Sequence, residues 1–174
     1  MEALRPPSIG KIATKYGLIQ GVLGFILFVV MAMIRTRQTW VSSVLSIALL
    51  VVLMVLAHRE FKKTHEGAMT YGQGVGLGTL LSVVSAVLTC LLLYIYVSFI
   101  NTGYPAAALK IQQEALEARG YTGPQLEQAL SMTSAMLTPM GIVISGLISG
   151  IIVGVIVALI VSAFTRVSDP RAVI

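Results

Sequence analysis

Four long apolar runs, separated by short charged segments, divide the 174 residues of the chain. None of the four contains Asp, Glu, Lys, Arg or His, and each reaches or approaches the length needed to cross a bilayer. At 1.5 Å rise per residue, about 20 residues cover the ~30 Å hydrocarbon core. The spans predicted are 16–34, 41–57, 72–100 and 139–164. Only the connector 101–138 is long enough to hold structure of its own. Within it Pro105 suits a helix start, Gly120 suits the residue just past a helix end, and Thr122-Gly-Pro124 reads as a cap followed by a first-turn proline. Leu126, Ala129, Leu130, Thr133 and Leu137 then follow one helical stripe. The fold expected is all-α, a four-transmembrane-helix bundle with an extramembrane pair of short amphipathic helices between spans three and four. It is expected to form a single integral membrane domain over 1–174.

Glycine supplies a second pattern inside the apolar runs. Gly146, Gly150 and Gly154 recur every fourth position in span four, so three missing side chains share one face, flanked by Ser145 and Ser149. Lipid tails give no hydrophobic drive for helix association, so close packing supplies much of it, and small residues permit the approach. Gly17, Gly21 and Gly24 mark a similar face in span one, with Gln20 between them. Span three carries two interleaved pairs, Gly72/Gly76 and Gly74/Gly78. The partner expected for the span-four face is Gly74 and Gly78 of span three or Gly17 and Gly21 of span one, with a second copy of the chain as the alternative. The alternating glycines of Thr70–Gly78 do not read as a phosphate loop, because no strand precedes them and no Gly-Lys-Ser/Thr follows.

Composition agrees with a membrane protein, at 56% hydrophobic and 11% charged residues. The net charge of +5 sits in short loops, so it reads as topology and contact with lipid headgroups rather than nucleic-acid binding. The termini and the second connector hold eight Lys and Arg (Arg5, Lys11, Lys15, Arg59, Lys62, Lys63, Arg166, Arg171), whereas Arg35, Arg37, Lys110 and Arg119 make four elsewhere. The bias predicts cytoplasmic termini and an external 101–138 connector, with Arg35 and Arg37 counting against it. The run 16–34 is too long for a signal-peptide core and lacks a small-residue cleavage site, so a retained span is expected. Trp40, Tyr94, Tyr96 and Phe99 are placed as interfacial aromatics.

Candidate chemistry is sparse. Cys90 is the single cysteine and lies in an apolar run, which excludes an intramolecular disulfide. His58 and His65, seven apart, lack a third ligand and read as part of a solvated basic connector over 58–66. Glu114, Glu117 and Glu127 have no histidine or cysteine near them in sequence. No catalytic, metal or cofactor site is expected, and no cofactor.

Lys15-Tyr-Gly-Leu-Ile19, Phe61-Lys-Lys63 and Thr70-Tyr-Gly-Gln-Gly74, with the proline-containing connector and the glycine-rich last span, are similar to the bacterial family catalogued as domain of unknown function 4199. The resemblance implies a bacterial inner (plasma) membrane location and four spans, and it supplies no catalytic residue. The function expected is a non-enzymatic integral membrane protein, a structural or accessory subunit or a homo-oligomer packed through its glycine faces. Its partners would be membrane lipids, itself or other membrane subunits. A small carrier or channel for a solute, lipid or hydrophobic cargo is the alternative, against which stands the lack of ionisable side chains in the middle of any span.

Overall fold

A computed structural model describes residues 8–34, 39–65 and 67–166. The helices are α1 (Ile9–Ile34), α2 (Thr39–Thr64), α3 (Tyr71–Ile95), α4 (Tyr104–Glu117), α5 (Gly123–Met136) and α6 (Pro139–Thr165). Four helical stretches among the described residues are long and apolar enough to cross a membrane: Ile9–Ile34, Trp40–Thr64, Tyr71–Ile100 and Pro139–Thr165. The charged turn expected from Arg35 lies outside the described residues up to position 38, as do Arg5, Glu66 and Arg171.

The chain divides into two compact units, Met1–Thr89 with Ser149–Ile174, and Cys90–Ile148. In the first, the core gathers where α1 begins, α2 ends, α3 begins and α6 ends, around Ile12, Met54, Phe61, Leu77, Leu81 and Ala158. Local sequence fixes these helix ends. α1 starts just past Pro6-Pro7, with the Ser8 carbonyl accepting the amides of Lys11 at 2.9 Å and Ile12 at 3.3 Å. α3 opens on a reciprocal capping box: the Thr70 amide donates to Gln73 Oε1 at 2.9 Å and the Gln73 amide donates to Thr70 Oγ1 at 3.3 Å. Gly67, at φ +84°, turns the chain out of α2, and its amide reaches the Lys62 carbonyl at 2.9 Å.

The expected solvated connector after position 57 is corrected here, since α2 continues to Thr64. Helical periodicity carries the buried stripe Leu50, Met54, Ala57 and Phe61 past the charged residues, turning His58 inward and leaving Arg59 and Lys63 outside. In α6, Ile152, Ile156 and Ile160 are exposed on one face while Gly154, Ala158 and Ser162 are buried on the other. Both faces are largely apolar, so side-chain size rather than hydropathy separates the exposed face from the helix-contact face.

In the second unit, α3 ends in one π turn, Tyr96–Ile100, closed by the Asn101 amide on the Tyr96 carbonyl at 2.7 Å. This turn buries Tyr96, whose hydroxyl accepts from Asn101 Nδ2 at 3.0 Å, so of the expected interfacial aromatics Tyr96 is turned inward while Trp40, Tyr94 and Phe99 are exposed. α4 closes with a Schellman pattern, the Gly120 amide on the Glu117 carbonyl at 2.9 Å and the Tyr121 amide on the Leu116 carbonyl at 3.2 Å, with Gly120 at φ +87°. α5 follows extended Thr122, whose side chain makes no capping bond. None of α5 is fully buried: Leu126, Ala129, Leu130 and Thr133 are half-buried and its other positions exposed.

Candidate functional site

The glycine positions lie in two seams that share α3. A Cβ built on Gly74 would sit 2.8 Å from Ser162 Oγ, and one on Gly78 would sit 2.8 Å from the Ala158 Cβ and 3.0 Å from Met54 Sδ. Farther along, Gly154 lies against the Ser82 side chain, and a Cβ on Gly150 would sit 3.4 Å from that of Ala86. In the second unit, a Cβ on Gly146 would lie 3.4 Å from Cys90 Sγ. Each step of four up α3 is matched by a step of four down α6, the register of an antiparallel pair meeting along i±4 ridges. Gly146, Gly150 and Gly154 therefore face Cys90, Ala86 and Ser82, not Gly74 and Gly78. The latter pair meet the next turns of the same α6 ridge. In this register glycine is matched with serine, alanine or cysteine, which fills the seam at contact distance where glycine on glycine would leave a gap.

The second seam joins α1 to α3 in parallel, with one offset at both contacts. A Cβ on Gly17 would meet the Leu81 carbonyl oxygen and the Val84 Cβ, each at 2.8 Å, and one on Gly21 would meet Leu88 Cδ2 at 2.9 Å. The Thr89 hydroxyl donates to the Gly21 carbonyl at 3.1 Å, which the absence of a side chain at position 21 makes reachable. Gly72 and Gly76 do not share this use, since nothing lies within 4 Å of a Cβ at either.

A buried polar node ties α2 to both α3 and α6. His58 is fully buried at 0% exposure. Its Nε2 lies 3.1 Å from the Gly74 carbonyl, which can only accept, so Nε2 carries a hydrogen and donates it. Its Nδ1 lies 2.7 Å from Thr165 Oγ1, whose hydroxyl is also 2.8 Å from the Val161 carbonyl. One turn on, Lys62 Nζ donates to the Thr165 carbonyl at 3.1 Å, placing a cation where α6 presents its unpaired carbonyls. α1 is tied to α2 by a partly exposed cluster, with Lys15 Nζ at 2.8 and 2.9 Å from the Glu60 oxygens and the Tyr16 hydroxyl donating to the same carboxylate at 2.8 Å.

His65 does not join His58. Its ring stacks on Phe61 with centroids 4.0 Å apart, and its Nδ1 lies 3.0 Å from the Phe61 carbonyl. Among the described residues no group of three His, Cys, Asp or Glu is placed to hold a metal ion. Among the described residues, Gln20 Oε1 and Ser162 Oγ are buried side-chain polar atoms without a hydrogen-bond partner. His58, Lys62 and Thr165 are the residues that sequence reasoning missed as contacts. Continuing the α2 stripe from Leu50 and Met54 by a further turn would have found His58.

The family described as Protein of unknown function (DUF4199) matches residues 15–167, which takes in α2 to α6 and most of α1. The chain belongs to this family. In this DUF4199 chain the Lys15-Tyr16 and Thr70–Gly74 stretches have structural roles, the first in the Glu60 cluster and the second in the α3 cap and the His58 contact. No curated protein and no solved structure matches the chain.

Proposed function

We propose that this DUF4199 member is a non-enzymatic protein of the bacterial plasma membrane, a structural or accessory subunit of a membrane assembly or a homo-oligomer. The observation that carries the reading is the use of its small and polar side chains. The glycine ridges and the His58–Thr165–Lys62 node hold helix to helix within the chain. Contacts to other subunits would then fall on the outer Ile and Leu surface or on α4 and α5 rather than on the glycine seams. In this reading both termini are cytoplasmic, and α4 and α5 form an amphipathic pair outside the bilayer. The charge bias and the half-buried Leu126/Leu130 side support that orientation.

Purification from native membranes in mild detergent, with the mass of the intact complex measured, tests the reading. A defined oligomer or a stoichiometric second chain is the expected result, and a lone monomer at all concentrations would overturn it. A carrier is the second reading, favoured by the unpartnered Gln20 Oε1 and Ser162 Oγ, because polar groups inside spans often mark solute paths. Solute flux in liposomes holding only the purified chain would select it.

A further inference from the structure

We propose that the outward face of α2 holds an anionic phospholipid, with an acyl chain along Val52 and Leu56 and the phosphate between Arg59 and Lys63. The inference rests on the integral-membrane reading and adds a ligand class and a place. Positions 52, 56, 59 and 63 step by four, three and four, so they form one stripe on the helix. All four are exposed, Val52 at 55% and Leu56 at 40%. Within two turns the stripe changes from apolar to doubly basic, as the surroundings of a phospholipid change from acyl chain to headgroup.

The neighbouring charges leave this pair available. Lys15 is bound to Glu60 at 2.8 Å and Lys62 to the Thr165 carbonyl at 3.1 Å. Glu60 accepts from both Lys15 and Tyr16 on the α1 side, and Lys63 acts on its carboxylate through space without forming an ion pair. Among the described residues neither Arg59 nor Lys63 makes an ion pair. A guanidinium fork and an ammonium one turn apart suit a phosphate diester, the first by paired hydrogen bonds and the second as a point charge. A zwitterionic headgroup brings its own cation to this site, whereas an anionic one leaves a net negative charge for the pair to meet.

The test uses the full chain, reconstituted in phosphatidylcholine vesicles with and without phosphatidylglycerol and then analysed by native mass spectrometry for the affinity of each lipid. The chain is expected to retain phosphatidylglycerol in preference to phosphatidylcholine. Arg59→Gln/Lys63→Gln should weaken that retention about thirtyfold, roughly fivefold per side chain. Lys110→Gln/Arg119→Gln, which removes the same charge elsewhere, should not. If the double variant fails to fold, the single variants carry the test at about fivefold each. Equal retention of the two lipids by the unaltered chain, or equal losses in both double variants, would overturn the proposal. So would displacement of the lipid by an equal concentration of inorganic phosphate, which would indicate a site for a soluble anion. Failure of the chain to enter phosphatidylcholine vesicles would instead count against the membrane reading itself.

Discussion

Replacing Gly154 by alanine should destabilise the protein, while the same change at Gly76 should stabilise it. Both glycines lie inside α3 or α6, and glycine in a helix interior is about 0.5–1 kcal/mol less favourable than alanine, so both substitutions begin with that gain. At Gly76 nothing lies within 4 Å of the new methyl group, and the gain stands. At Gly154 the methyl would fall on the Ser82 side chain, and overpacking of this kind costs about 1–3 kcal/mol. The two variants should therefore differ by about 1–3 kcal/mol, of the order of 2–10 °C in thermal midpoint for a chain of this length. Gly150→Ala should fall between them, since its methyl would meet the Ala86 Cβ at 3.4 Å. Thermal unfolding in detergent, followed by helical circular dichroism, ranks the three. Equal shifts at Gly76 and Gly154 would refute the seam as the reason for glycine at position 154.

His58→Phe should remove the side-chain donor to the Gly74 carbonyl, which keeps its helical bond, and cost about 0.5–1.5 kcal/mol, with partial rescue by His58→Gln, whose amide can donate to the same oxygen; thermal unfolding of the two variants reads the difference. Gly120→Ala forces a side chain onto φ +87° at a cost of about 1–2 kcal/mol, and hydrogen exchange should quicken in the last turn of α4 while the α3–α6 seam stays protected. For the topology, a Ser8→Cys reporter should resist an impermeant thiol reagent in intact cells and a Gln113→Cys reporter should react; the reverse pattern would overturn the cytoplasmic assignment of the termini.

The four helices long and apolar enough to cross a membrane were legible because a long run without charge is a strong signal of such a helix. The limits of α2 were not, because His58 sits in a run with Arg59, Glu60, Lys62 and Lys63 that reads as a loop. In the structure Arg59 and Lys63 face outward from a continuing helix while His58, with Lys62 one turn on, faces α6, a distinction that periodicity holds and composition hides. The small face of α6 was visible as glycine spacing, but its partner was not. Gly74, Gly78, Ser82, Ala86 and Cys90 all lie on one ridge of α3, and only the antiparallel register decides which of them meets Gly150. The capping box at Thr70 and Gln73 is present in the sequence, interleaved with the glycines of the same stretch, whose spacing is the stronger pattern. Nothing in the sequence marked the π turn that buries Tyr96.

The central claim, that the glycine ridge of α6 packs against α3 of the same chain, is tested most directly through the native cysteine. Cys90 Sγ lies 3.4 Å from where a Cβ on Gly146 would stand, within reach of disulfide formation. Gly146→Cys, oxidised in native membranes and run on a non-reducing gel, should give a disulfide within one chain: a monomer band of altered mobility in which neither thiol accepts maleimide. Disulfide-linked dimers, or two thiols that both remain reactive after oxidation, would contradict it.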